Sequence, residues 1–258
     1  MAITRVIPVL LLKNAGLVKT TQFKDPKYIG DPLNAVKIFN EKEVDELIFL
    51  DILATPENKA IPLAFLEQVA QECFMPLAYG GGVRTVDEIR EILKVGVEKV
   101  IINSQAVEQK DFIRNAVERH GSSTICVSID VRKNFWGKYE VFTHGGRKNT
   151  KLDPVRFAVE MDQAGAGELM INSIDRDGTM KGYDCDLIKK VTNEVGMPVI
   201  ACGGAGSVQD FSMAVNEAGA SAVAAGSMFV FHGKHRAVLI SYPEQEALKQ
   251  AFKINRPV

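Results

Sequence analysis

Asp130 closes an apolar run, TICVSID over 124–130. A carboxylate at the end of a buried strand is a candidate general acid or base, with a pKa that burial can tune. The same residue could equally serve as a structural cap on the loop that follows. Two glycine-rich stretches offer a second kind of chemistry. Residues 76–89 read PLAYGGGVRTVDEI and residues 198–211 read PVIACGGAGSVQDF. Each is a Pro, a short apolar run, a glycine cluster, a polar residue and the start of a helical pattern, which describes a buried strand turning into a helix. Glycines at that turn let bare backbone N–H groups approach an anion. One such loop can also serve only tight helix–strand packing. Here there are two, 198 − 76 = 122 residues apart, and each is followed one strand later by a polar pair, Asn103-Ser104 or Gly226-Ser227. Two facing cradles point to a phosphorylated small molecule with an anionic group at each end.

The elements that position these residues repeat at the same offset. The apolar run DELIFLDI starts at 45 and the related GELMINSID at 167, again 122 apart. Strands are expected at 5–12, 46–51, 76–79, 99–103, 124–130, 168–172, 198–202 and 220–225. Helical patterns separate them, among them 31–43, 62–72, 85–95, 154–164, 184–194 and 207–218, with a last helix over 236–252. Residues 14–28 look like a long polar loop, and 131–150 a second loop with a small hairpin across Gly137. Strand–helix alternation in two equal halves predicts an α/β fold, a single (β/α)₈ TIM barrel over 1–258, with half-barrels of about 1–120 and 121–258. A doubly wound open sheet is the alternative. Closure would gather Asp51, Gly82, Asn103-Ser104, Asp130, Asn172-Ser173, Asp175, Asp177-Gly178, Gly203-Gly204 and Gly226-Ser227 around one mouth. At the opposite end, Arg5, Glu46, Lys99 and Glu168 begin the first, second, fourth and sixth of these strands. They could form a charged ring or simply be solvated strand starts, and the spacing alone favours the latter.

Bulk properties narrow the class. Of 258 residues, 46% are hydrophobic and 24% charged, and the formal net charge is −1. That balance suits a core-forming protein and offers no basic field for nucleic acid. No run approaches the ~18 apolar residues of a membrane span. The four cysteines form no CxxC pair, so reduced thiols, a cytoplasmic location and no metal site are expected. No cofactor is expected. Cys202, beside Gly203, could be a site residue or a small buried one.

The segments RVIPVLLLK, DELIFLDI, YGGGVRTVDE, EKVIINSQAVE, VSIDV, YEVFTHGGRK, SIDRDGTMKGYD and GGAGS together resemble the cyclase subunit of imidazole glycerol phosphate synthase along nearly the whole chain. The resemblance implies a barrel that pairs with a glutaminase subunit as a heterodimer and receives ammonia through its core. It implies phosphate-site or substrate roles for Gly82, Asn103, Ser104, Asp177, Gly178, Gly203, Gly204, Gly226 and Ser227. It implies an acid/base role for Asp130, a substrate-loop role for Lys19, and an ammonia gate of Arg5, Glu46, Lys99 and Glu168, whose charge pairs are expected to contribute only about 0–1 kcal/mol each. One position departs from the pattern: the family carries an Asp at the end of strand 1, and here VLLLKNAGLVKT places Leu11 there. The stretch TTQFKDPKYIGDPLNAVKIFNEKEVDEL resembles instead a paralogous branch associated with acetamidino modification of surface-polysaccharide sugars. That branch implies ammonia supply to an ATP-dependent sugar amidotransferase. The histidine-biosynthesis cyclase, and a phosphate-binding scaffold that only regulates its glutaminase, are the two alternatives.

Overall fold

The computed structural model describes residues 4–253. Eight parallel strands form its centre: β1 (Arg5–Lys13), β2 (Leu47–Asp51), β3 (Leu77–Gly80), β4 (Lys99–Ile102), β5 (Ile125–Lys133), β6 (Glu168–Ser173), β7 (Val199–Cys202) and β8 (Ala222–Ala225). Each pairs with the next, and β8 pairs back onto β1, with Arg5 opposite Ala222 and Pro8 opposite Ala225. The sheet is therefore closed and the open-sheet alternative is excluded.

Side chains alternate across the barrel wall, as the two-residue period of a strand requires. In β1, Ile7 and Val9 point into an interior cluster with Ile48, Ala78, Ile101, Cys126, Met170 and Ile200. Their neighbours Val6, Leu10 and Leu12 face outward onto the helices. The outer layer is α1 (Pro32–Glu41), α2 (Leu63–Glu72), α3 (Val86–Lys94), α4 (Phe112–His120), α5 (Pro154–Gln163), α6 (Cys185–Thr192), α7 (Val208–Asn216) and α8 (Gln245–Lys253). Helix starts repeat at the sequence offset. Asp31 and Asp153, 122 apart, each cap a helix that opens on Pro. Thr85 and Ser207, also 122 apart, each form a reciprocal capping box with the residue three on, Glu88 or Asp210.

Three segments differ from the sequence expectation. Residues 14–28 are not a loop. Gly16–Thr21 pairs antiparallel with the end of β1, and Lys24–Gly30 pairs with Gly16–Thr21. The outer strand is almost wholly exposed, so no buried face marks it in the sequence. The helix expected over 236–252 begins only at Gln245. Ala237–Val238 instead pairs with Phe231–His232, because the run RAVLI suits extended backbone and Pro243 marks the true helix entry. Between β4 and β5 lie a one-turn helix, Ser104–Glu108, and α4, neither of which the spacing delineated. The hairpin across Gly137 is present: Tyr139–Thr143 folds back on β5.

Candidate functional site

Barrel closure brings the strand ends around one cavity of about 410 Å³, lined by Leu11, Lys19, Gly82, Asn103, Ser104, Asp130, Asp177, Gly178, Gly203, Gly204, Gly226 and Ser227. Every residue singled out for acid/base or phosphate chemistry therefore shares this mouth. The volume suits a small ligand.

Asp130 sits on β5, only 8% exposed. Asn172 Nδ2 donates to its Oδ1 at 3.2 Å and Asn103 Nδ2 to its Oδ2 at 3.4 Å. Burial pushes its carboxyl up to about 7; the Asn172 hydrogen bond opposes that shift and Asp177 adds to it. Lys19 reaches in from the strand Gly16–Thr21, fully buried, and Nζ donates to the Val9 carbonyl. Burial brings its pKa down to about 8, against the pull of Asp177. Asp177 is itself raised by burial and accepts a 3.1 Å hydrogen bond from Thr20 Oγ1. Lys19 Nζ lies so close to Gly226 that any side chain there would collide with it. The cationic group thus stands directly over one of the two cradles.

The cradles have a common construction. Asn103 precedes the one-turn helix Ser104–Glu108, and Gly226 precedes Ser227–Val230. Neither start is capped by a side chain. Their first backbone N–H groups are available to an anion at the mouth. On the β3 side the Gly82 N–H is already donated to Thr55 Oγ1 at 3.1 Å, so Gly82 shapes the cradle more than it donates to a ligand.

Three residues that the sequence placed at strand ends, without assigning them a role, also line the cavity. Asn172 holds Asp130 and also lines the cavity, and its Oδ1 is buried with no partner. Asp51 lines the wall and accepts the Leu53 and Ala54 N–H groups. Cys202 lines the wall too, as a small buried residue whose thiol burial pushes up to about 12, so it is no thiolate at neutral pH. The 103, 130 and 172 spacing carries no local period; only closure makes these residues neighbours. Leu11 lines the same cavity, in register with Leu50 and Val18, so the end of β1 gives the mouth an aliphatic wall.

At the other end the four charged strand starts form a closed ring. Arg5 binds both Glu46 and Glu168. Lys99 Nζ stands 2.9 Å from Glu46 Oε1 and 2.6 Å from Glu168 Oε2. Burial opposes the charges of Arg5 and Lys99, but the two carboxylates outweigh it and hold both pKa values above their ordinary range. Solvated strand starts are thereby ruled out. Glu46 is only 2% exposed, so the expectation of about 0–1 kcal/mol per pair, which holds for exposed pairs, no longer applies. Between ring and cavity the barrel interior holds an apolar cluster that includes Ile7, Ile48, Ala78, Cys126, Met170 and Ile200.

Among the described residues no helix is long and apolar enough to cross a membrane, and no group of three or more His, Cys, Asp or Glu side chains is arranged to hold a metal ion. The family model described as "Histidine biosynthesis protein" matches residues 5–236. A Pseudomonas aeruginosa protein provisionally named imidazole glycerol phosphate synthase subunit hisF2 is 52% identical over 95% of this chain and 97% of its own length. A Vibrio vulnificus protein provisionally named imidazole glycerol phosphate synthase subunit hisF3 is 47% identical over 97% of each chain. The imidazole glycerol phosphate synthase subunit HisF of Alkaliphilus metalliredigens is 42% identical over 88% of this chain and 90% of its own. With the closed barrel, the two cradles and the charged ring already in place, these likenesses establish that the chain belongs to the histidine biosynthesis protein family, as a relative of the cyclase subunit of imidazole glycerol phosphate synthase.

Proposed function

We propose that this chain is an ammonia-handling subunit, which takes ammonia from a glutaminase partner at the charged ring and passes it through the barrel. The receiver is an ATP-dependent sugar amidotransferase that makes an acetamidino group on a surface-polysaccharide sugar. In that reaction ATP activates the N-acetyl oxygen, ammonia attacks the carbon, and the activated oxygen leaves. The observation that carries the reading is Leu11: the cavity keeps Asp130, Lys19 and both cradles, yet strand 1 contributes an aliphatic wall where the cyclase family carries an Asp.

The rest of the barrel suits the role. Neutral ammonia can cross an apolar interior, whereas ammonium would lose its hydration at large cost. The ring pairs its own charges and so closes the lower end without leaving an unpaired ion. The phosphate cradles then bind a phosphorylated ligand that signals or gates delivery.

Retention of Asp130, Lys19 and the cradles favours a second reading, the histidine-pathway cyclase itself. One assay separates the two. Losing one of two positioned acid/base groups costs about 10²–10⁴-fold in rate. With saturating ammonium and the cyclase substrate, turnover should therefore be negligible, while the chain plus its glutaminase should support amidination. Robust cyclase turnover would overturn the proposal.

A further inference from the structure

After β8 the chain makes a small hairpin that returns to the mouth. The one-turn helix Ser227–Val230 opens on the Gly226 cradle, and Phe231–His232 pairs with Ala237–Val238 directly after it. The turn between them reads HGKHR over 232–236 and is exposed throughout, so it buries no apolar face that would fix it to the barrel. Arg236 supplies the fixing instead. Its Nη2 donates to the Gly178 carbonyl at 2.9 Å, and its guanidinium carbon stands 4.7 Å from the centre of the Phe231 ring. Its backbone N–H closes the turn on the Gly233 carbonyl at 3.1 Å. A planar cation stacked on a ring is limited in its rotamers, and its bond to a carbonyl is charge-assisted.

The carbonyl that Arg236 holds belongs to the turn against which the Lys19 hairpin rests. The Gln22 N–H donates to the Asp177 carbonyl and Gln22 Nε2 to the Asp175 carbonyl, both at 2.9 Å. Thr20 Oγ1 donates to Asp177 Oδ2 at 3.1 Å. Lys19, between these contacts and the barrel, ends against Gly226, where the C-terminal hairpin began. The contacts therefore close a circuit: from the Gly226 cradle through residues 231–238 to Arg236, across to residues 175–178, on to residues 19–22, and back through Lys19 to the cradle.

We infer that Arg236 is a positioning residue for Lys19: by holding Gly178 it fixes the hairpin that keeps the Lys19 ammonium over the Gly226–Ser227 cradle, so that an anionic ligand meets a cation already in place. Such pre-ordering lowers the entropy lost on binding. This role goes beyond ammonia delivery and does not depend on which enzyme receives the ammonia.

Two readouts separate positioning from mere support of the fold. The first is the affinity of the full chain for inorganic phosphate, measured by calorimetry. Arg236→Ala should weaken it roughly tenfold, the loss expected for one hydrogen bond to a charged group. Arg236→Lys, which keeps a cation and a donor for Gly178, should restore most of it. In a Lys19→Met background Arg236→Ala should add little, because the two residues act as one unit. Additive losses would overturn the inference, since Arg236 would then act without Lys19. The second readout needs no ligand. Asp177 and Cys202 are the ionisable groups that act on Lys19, and Arg236 is not among them, so a change in the titration of Lys19 reports a change of place. In a chain labelled with 13C at lysine Cε, the Lys19 resonance is identified by its loss in Lys19→Met. It should titrate at about 8 in the natural chain and close to the ordinary 10.5 in Arg236→Ala, where the freed side chain regains water. An unmoved midpoint would overturn the inference and leave the ammonia-handling role standing.

Discussion

At the scale of single residues, Asp130 and Lys19 are poised from opposite directions. Burial raises the first to about 7 and lowers the second to about 8. Between those values the pair is mostly carboxylate and ammonium, the combination that acid/base work at neutral pH requires. The raised carboxyl has a thermodynamic consequence. An unfolded Asp titrates near 4, so between pH 4 and about 7 the unfolded chain has released a proton that the folded chain still holds. Asp130 therefore reduces stability as pH rises through that window and adds no further change above it. In Asp130→Asn this dependence disappears. Relative to the natural chain, the variant's unfolding free energy should gain up to about 1.4 kcal/mol per pH unit between roughly pH 4 and 7. Denaturant midpoints across that range measure it, and a pH-independent difference would show that Asp130 ionises normally. Asp130 was legible in the sequence because it ends an apolar strand. Asn103 and Asn172 were legible as residues of the same mouth, but not their hydrogen bonds to Asp130, since they come from other strands and only closure sets the distances.

At the scale of elements, the repeat made the barrel readable. Strand runs, Pro-opened helices and capping boxes recur 122 residues apart, and local chemistry agrees with global fold at each. What stayed hidden are pieces that the chain holds by pairing rather than by burying a face. Lys24–Gly30 is such a strand: five of its seven residues are exposed. It matters because the hairpin that carries Lys19 inward is stabilised by it. Gly178 pins that hairpin from across the mouth. Its φ is +70°, and a Cβ there would stand 2.2 Å from the Thr20 carbonyl oxygen. Gly178→Ala should cost about 1–3 kcal/mol from the strained backbone, plus displacement of Thr20 and Lys19. Limited proteolysis should then cut within residues 16–30 before the barrel unfolds. Unchanged resistance there would mean that the hairpin does not depend on this contact.

At the scale of the whole molecule, a charged ring and a cavity face each other through an apolar interior. The ring's spacing alone suggested solvated strand starts, because sequence cannot say that residues 5, 46, 99 and 168 meet. Their burial now sets the size of the effect. Lys99→Met leaves Glu46, nearly inaccessible, with Arg5 as its sole cation. The destabilisation should lie nearer the about 3–5 kcal/mol of a broken buried pair than the about 0–1 of an exposed one. A thermal unfolding shift of less than a degree would show the ring to be solvated in practice. If the ring is the entrance, Lys99→Met should also lower glutamine-dependent amidination far more than amidination from added ammonium. The most direct measurement of the central claim follows the nitrogen itself. The chain, its glutaminase and the sugar amidotransferase are supplied with amide-labelled [15N]glutamine, ATP and the sugar substrate, in an excess of unlabelled ammonium. Passage through the barrel predicts an acetamidino product that keeps the 15N label, with no cyclase product formed beside it. Label diluted to the level of the bulk ammonium pool, or 15N appearing in imidazole glycerol phosphate, would contradict it.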